Sequence, residues 1–520
     1  MRPDHWARVE PTRPAIVMGA TGNVTSYSDL AARSCQLARF FRDMGLERGD
    51  HVAVVLENCP QFFEVLWAAL HSGVYFTPVN RHLTSDEVGY ILDDCEARIV
   101  ISSATLAGTT TAIDWEQLPR VRARLMVGGS PPGFEDYDAT LDSYEPTPLA
   151  DASTGSLMLY TSGTTGRPKG VLPPLSTAQG EDPDPALLGV AARFGFDEHS
   201  VYLSPAPMYH AAPLLFTLPV HTLGGTVVVM EKFDAAAALH LIESLRVTHS
   251  QWVPTMLIRL LGLPDDERLG RDLSSHRMAI HAAAPCPHDV KRRMIEWWGP
   301  ILTEYYAGTD SGGMTIIDSA EWLDHPGSVG RGNVRIIDDD GNQLPPGEIG
   351  TVYFAGGPDL VYKGDPDKTA AACLPGGLRT AGDCGYLDEG GWLYLTDRRD
   401  FMINSGGVNI YPREVEDVLL VHPAVSDVAV FGVPNREFGE EVKAVVQLVP
   451  TAVASDELAA DIIDHCRLEL ARFKCPRSVD FVEELPRSPT GKLMKRLLRA
   501  EYRDEPQLGF SSIGEPGGDS

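Results

Sequence analysis

Between Tyr160 and Val171 the chain reads YTSGTTGRPKGV, a stretch holding three threonines, one serine, three glycines and two cations. Glycine tolerates the φ values that turn successive backbone N–H groups toward one point. Such a concave turn is an anion nest, and the hydroxyls of Thr161, Ser162, Thr164 and Thr165 add donors around Gly163 and Gly166. Lys169 brings a flexible point charge suited to phosphate. The chemistry open to this composition is the holding of a polyphosphate. It is not the P-loop pattern, because Pro168 precedes Lys169 and Gly170 follows it. Taken alone, the loop is equally an ordinary polar turn.

Other residues of chemical interest each have a structural explanation when taken singly. His210, after Tyr209, is as readily a satisfied core histidine as a ligand. Thr309 and Asp310 could cap a helix. The run Arg398 to Asp400 reads as solvated surface, and so does the basic stretch that begins at Lys492. Gly406 and Gly407 read as turn glycines, and a lone Tyr306 as core.

The elements that must carry these residues follow from periodicity. Leu157 to Tyr160 is a short apolar run suited to a buried strand that feeds the loop. Upstream, TSYSDLAARSCQLARFFRDMGLERGD has hydroxyl caps and helical spacing and stops at Gly45. HVAVVLEN, CPQFFEVLWAALHSG and VYFTPV then alternate strand, helix and strand, which predicts parallel α/β layers. The same alternation recurs around GGTVVVM, HLIESLRV and HSQWVPT. Near residue 330 the pattern changes to β-rich runs, with a turn signal at Asp340-Gly341 that predicts hairpins. From about residue 400 a smaller α/β unit follows, with Pro412 near the first turn of a helix. LGFSSIGEPGGDS at the end reads as disordered.

The 520 residues exceed what one hydrophobic core usually supports, so two or more domains are expected. With 44 Lys and Arg against 72 Asp and Glu, the formal net charge of −28 opposes binding to nucleic acid or to an anionic membrane surface. An anionic ligand therefore needs a local cluster of donors. Eight scattered cysteines show no zinc spacing, which fits a reducing cytoplasm. No apolar run is long enough for a transmembrane helix.

The loop string also has companions. PMYH (207–210), AAAPC (282–286), YYAGTD (305–310), TAGD (380–383), DRRDFMINSGG (397–407), YPREVE (411–416), GVPNREFGEEV (432–442) and PRSPTGK (486–492) follow it in order. Together these strings closely resemble the signatures of the adenylate-forming superfamily of acyl-CoA synthetases, coumarate–CoA ligases, luciferases and peptide-synthetase adenylation domains.

The resemblance implies a large N-terminal domain, 1–398, of layered α/β sheets with a β-rich subdomain. A small mobile α+β C-terminal domain, 399–505, and a disordered tail, 506–520, would complete the chain. It also implies ATP and Mg2+, with coenzyme A as co-substrate. Thr161 through Lys169 would hold the β- and γ-phosphates, and Asp310, with Thr161, would contact Mg2+. Most relatives have Glu where this chain has Asp310, one methylene shorter.

Tyr306 would stack on adenine, and Ala283 and Ala284 would offer backbone to its edge. Asp383 and Arg398 would hold the ribose; Ala381 interrupts the usual Thr-Gly-Asp between Thr380 and Gly382. Gly406 and Gly407 would admit the pantetheine arm, and Asp400 would be the hinge of the swinging domain. Thr309, His210 and Lys492 are the catalytic candidates, Lys492 bridging the carboxylate and the α-phosphate.

Relatives that activate amino acids place an Asp just after the position of His210. HAAPLLFTLPVHTLGG has no carboxylate, so a buried substrate ammonium would lack its partner. A fatty or other largely apolar acid is expected first, with aryl and steroid-like acids open. Two other readings stand beside the acyl-CoA synthetase. One is an acyl-AMP ligase that loads a separate carrier protein, and the other a nonenzymatic nucleotide-binding relative. A homodimer is left open.

Overall fold

The structure is a computed structural model that describes residues 3–161, 168–176, 185–398, 401–405, 408–435, 438–487 and 493–504. The chain divides into two compact units, Met1–Leu395 and Thr396–Ser520.

In the first unit the strand–helix alternation becomes two parallel layers. One sheet has six strands in the order Glu135–Asp136, Ala123–Val127, Ala97–Ser103, His51–Val55, Tyr75–Pro78 and Ser156–Leu157, all parallel. Its centre, His51–Val55, is buried along its whole length, as parallel strands covered on both faces must be. The other sheet has eight strands. Its parallel middle runs Leu302–Tyr306, Met278–His281, His249–Trp252, Val201–Ser204, Thr226–Val229 and Pro14–Met18, and an antiparallel strand closes each edge.

Helices Tyr27–Asp43, Pro60–Ser72 and Ala211–Leu223 bury their apolar faces in one core with strands of both sheets. The first begins with a capping box, Ser26 accepting from the Asp29 N–H while the Asp29 carboxylate accepts from the Ser26 N–H. His221 pins the layers together. The Trp67 indole donates to its Nδ1 at 3.1 Å, so its Nε2 donates to the Ala15 carbonyl at 3.1 Å. Burial pushes this imidazole down to about 4, which keeps it neutral.

The β-rich section forms a six-stranded sheet around Gly350–Ala355. The turn at Asp340-Gly341 is real: the Asp338 carboxylate accepts the N–H groups of Asp340 and Asn342, and Ile337 bridges Gln343. The strand Val334–Ile337 nonetheless takes its main partner farther on, where Ile337 registers with Thr351. A three-stranded sheet of Leu159–Thr161, Lys169–Leu172 and Val361–Tyr362 carries the flanks of the glycine–threonine loop.

The second unit is a five-stranded sheet, antiparallel except where Ser478–Val482 joins Gly439–Leu448. Helix Pro412–Leu419 packs on it with proline at its start, where the missing N–H costs nothing. Glu416 of that helix accepts the Val430 N–H at 2.8 Å and pairs with Lys495 at 2.8 Å. Among the described residues no helix is long and apolar enough to cross a membrane.

Candidate nucleotide and acid site

In open parallel sheets, loops that leave the carboxyl ends of the strands form the binding crevice. The candidate residues sit there. Pro207 to His210 follow Val201–Ser204, Ala282 to Ala284 follow Met278–His281, and Ala307 to Asp310 follow Leu302–Tyr306. Buried Asn58, just after His51–Val55 of the six-stranded sheet, ties this edge together. Its Nδ2 donates to the carbonyls of Ala206 and Met230 at 3.0 and 2.8 Å, and its Oδ1 accepts the Met208 N–H at 2.9 Å.

On the phosphate side, Thr161 and Lys169 register with each other at the neck of an antiparallel hairpin. At Gly170 a Cβ would lie 2.0 Å from the Met158 methyl carbon, so a larger residue there would have to displace the end of that side chain. Ser162, Gly163, Thr164, Thr165 and Gly166 lie outside the described residues. Lys169 Nζ stands 3.3 Å from the carboxylate of Asp365, the N-cap of helix Pro366–Ala371. The Lys368 N–H and then the Lys169 ammonium hold the Asp365 carboxyl below the usual range.

The third strand of this sheet brings Tyr362 beside Val171, and the Tyr362 hydroxyl donates to Asp310 Oδ2. The carboxylate expected to meet the metal is thus tied to the hairpin that carries Thr161 and Lys169. Magnesium takes one or two carboxylates plus phosphate oxygens rather than a closed protein cage. One carboxylate of Asp310 in this position fits that donor set. Among the described residues no cluster of three or more His, Cys, Asp or Glu could hold a metal.

On the base side, the Tyr306 hydroxyl donates to Asp383 Oδ2 at 2.7 Å, and the Tyr306 ring packs on Phe354 with centroids 5.7 Å apart. Two residues expected at adenine and ribose are therefore in direct contact. The loops behind them touch closely, since a Cβ on Gly308 would lie 2.7 Å from that of Ala381. Thr380 is buried and spends its hydroxyl on the Gly382 N–H at 2.9 Å, shaping the turn that presents Asp383. Ala283 holds φ 75°, a left-handed conformation rare for a residue with a Cβ. Ala284 follows it, and Thr309 is exposed.

His210 opens helix Ala211–Leu223 without capping it. Its Nε2 is buried with no hydrogen-bond partner, and so is the Tyr209 hydroxyl. Burial, and then His82, push the His210 imidazole down to about 4. It is a neutral ring with a free nitrogen, which a satisfied core histidine would not be.

Lys492, Asp400, Gly406 and Gly407 lie outside the described residues, as does the side chain of Arg398, which ends strand Leu393–Arg398. Tyr362, Asp365 and Asn58 were not foreseen from sequence. Asp365-Pro366 is a readable helix start. Nothing in LVYKGD says that its tyrosine reaches a carboxylate 52 positions away.

Residues 3–364 match the AMP-binding enzyme family, and residues 414–492 match the AMP-binding enzyme C-terminal domain. Over 511 residues the chain is 34% identical to a feruloyl-CoA synthase of Amycolatopsis sp, covering 96% of this chain and 98% of the relative. It is 32% identical over 508 residues to the long-chain-fatty-acid–CoA ligase FadD13 of Mycobacterium tuberculosis, covering 95% and 97%. The solved structure of ATP-bound MatB from Rhodopseudomonas palustris superposes with a TM-score of 0.82 at 28% identity, covering 97% of this chain and 99% of that one. The chain thus belongs to the AMP-binding enzymes of the adenylate-forming superfamily, and it is an ATP-dependent, AMP-forming acid–thiol ligase.

Proposed function

We propose that this ligase activates a largely apolar carboxylic acid, a fatty or other aliphatic acid first, and passes the acyl group to coenzyme A. The observation that carries the reading is the pairing of two half-sites on one edge: the Thr161–Lys169 hairpin tied through Tyr362 to Asp310, and the Tyr306–Asp383 contact beside Ala283.

A carboxylate is a poor electrophile because its charge is delocalised and oxide leaves badly. Attack of one carboxylate oxygen on the α-phosphorus of ATP forms a C–O–P bond and expels pyrophosphate. The thiol then attacks the acyl carbon, the C–O bond breaks, and AMP leaves with that oxygen. The first step brings two anions together, so fixed cations and dipoles supply most of the acceleration.

In this reading Thr161 to Lys169 cradle the β- and γ-phosphates. Tyr362 fixes the Asp310 carboxylate toward the metal, and bound Mg2+ would neutralise charge on the phosphate oxygens. Tyr306 and the Ala282–Pro285 backbone take adenine, and Asp383, an acceptor-only group, takes ribose hydroxyls together with Arg398. His210 stands beside the acid, with Thr309 on the same edge of the sheet. Lys492 bridges carboxylate and α-phosphate, and the small domain swings at Asp400 to bring Gly406 and Gly407 to the pantetheine arm.

The acid is assigned as apolar because the segment from His210 to Gly225 holds no carboxylate to meet a substrate cation. The two relatives named above act, by their names, on an aromatic and a long-chain acid. The test is pyrophosphate release across a panel of acids with ATP and Mg2+, with and without CoA. Medium- to long-chain acids should give release, and CoA should add AMP and acyl-CoA. No release with any acid would overturn the reading. Acyl-AMP that CoA leaves untouched would point to a carrier protein as the acceptor.

A further inference from the structure

Next to the base wall lies a set of charges that the reaction above does not use. Lys291, in helix His288–Trp298, is 0% exposed, with Nζ 2.5 Å from Glu304 Oε2 and 4.7 Å from the centre of the Trp322 ring. Glu304 lies two residues before Tyr306 in strand Leu302–Tyr306 and so shares its face of the sheet. His281 ends the neighbouring strand in register with Glu304. Its Nε2 is 3.8 Å from the same carboxylate oxygen, and neither ring nitrogen has a hydrogen-bond partner.

A buried ion pair is a weak source of stability, because desolvation offsets most of the attraction and an apolar pair of equal volume often does as well. What it supplies is fixed geometry. The segment from Ala282 to Pro287 connects His281 to the helix that bears Lys291, so one carboxylate, Glu304, stands beside both of its ends. Within that segment Ala283 keeps φ 75°. A residue with a Cβ stays in that region only where its surroundings over-determine it.

We propose that the Lys291–Glu304 pair, with His281, is a positioning unit that holds the Ala282–Pro285 backbone in the shape that reads the edge of the nucleotide base. It would thereby set both ATP affinity and the preference for adenine over guanine. The proposal rests on the assignment of this segment to the base. None of the three residues is given a contact with the nucleotide, so they act through the backbone.

The test is direct titration of the full chain with ATP and with GTP, in Mg2+ and without acid, alongside KM for acid and for CoA. Lys291→Met alone would strand a buried carboxylate, so the informative variant is K291M/E304Q, which removes both charges. It should bind ATP about tenfold more weakly and lose at least about fivefold of its ATP-over-GTP preference, with the other two KM values within about twofold. Glu304→Gln keeps an acceptor for Lys291 but removes its counter-charge, and should weaken ATP binding at least about threefold with the same direction of change in base preference.

Wild-type ATP affinity and base preference in the folded variants would overturn the proposal. So would an equal worsening of ATP, acid and CoA with the base preference unchanged. If the double variant does not fold, Glu304→Gln decides by the same criteria. A wild-type chain that bound neither nucleotide would instead sink the assignment of the nucleotide site.

Discussion

The two sides of the candidate site are built on different principles. On the phosphate side the groups are partly exposed and hold one another: Lys169 meets Asp365 with side chains 32% and 26% exposed, and Asp310 meets a tyrosine. On the base side stand a buried ion pair, a left-handed Ala283 and loops too close to admit a Cβ. The phosphate side presents partners that a polyphosphate and a metal can exchange at little cost. The base side presents a shape. A polyphosphate brings charge enough to displace a solvent-screened ion pair, whereas a neutral base gains only from groups already in place.

Among the described residues neither side is assigned a charge between acid and α-phosphate; in the proposed mechanism that role falls to Lys492. Its removal should have the largest effect. Lys492→Ala is expected to slow acyl-AMP formation about a thousandfold while sparing thioester formation from supplied acyl-AMP, a split that single-turnover assays of each half-reaction would read. Equal loss in both would remove the lysine from adenylation.

Tyr362→Phe should come next. With Asp310 no longer fixed, the Mg2+ needed for half-maximal ATP binding should rise about tenfold, and Asp310→Glu in the same background should recover part of it. An unchanged Mg2+ dependence would cut the link between the hairpin and the metal.

Asp365→Asn should move ATP binding the other way. It frees Lys169 from a partly exposed ion pair, so ATP should bind about two- to threefold more tightly, most clearly at low salt. Weaker binding would mean that Asp365 orients Lys169 rather than competing for it.

Stability should show the least change near neutrality and a steep one in acid. Burial lowers His51, His210, His221 and His249 from 6.5 to about 4, and His276 to about 3. The folded state therefore resists protons that the unfolded chain accepts. The stability these rings contribute is complete above pH 6.5 and lost as pH falls toward 4. Melting temperature should be level from about pH 8 to 7 and fall through that window. A level profile down to pH 4.5 would mean the rings are not buried as described.

What the sequence made legible was local. The Ser26 cap and the proline at the start of Pro412–Leu419 each depend on residues within a turn of one another, whereas the single strand expected over Leu157 to Tyr160 divides at Met158, Ser156–Leu157 pairing in one sheet and Leu159–Thr161 in another. Ordered motifs placed the loops of the crevice because loops that follow parallel strands share an edge. The supports of the site stayed hidden, since Tyr362 with Asp310, Lys291 with Glu304, and Asn58 with Ala206 and Met230 are joined only by the fold. Asp340-Gly341 shows the limit from the other side: its turn forms, but the strand before it pairs beyond the expected register. Thr380 is similar, a motif residue that the structure spends on backbone.

The central claim is that the acid is joined to AMP before the thiol takes it, and an isotope can follow the oxygen that makes the join. With acid labelled by oxygen-18 in both carboxylate oxygens, ATP and CoA, mass spectrometry should find one heavy oxygen in AMP and none in pyrophosphate. Heavy oxygen in pyrophosphate or phosphate, or unlabelled AMP beside acyl-CoA, would contradict it.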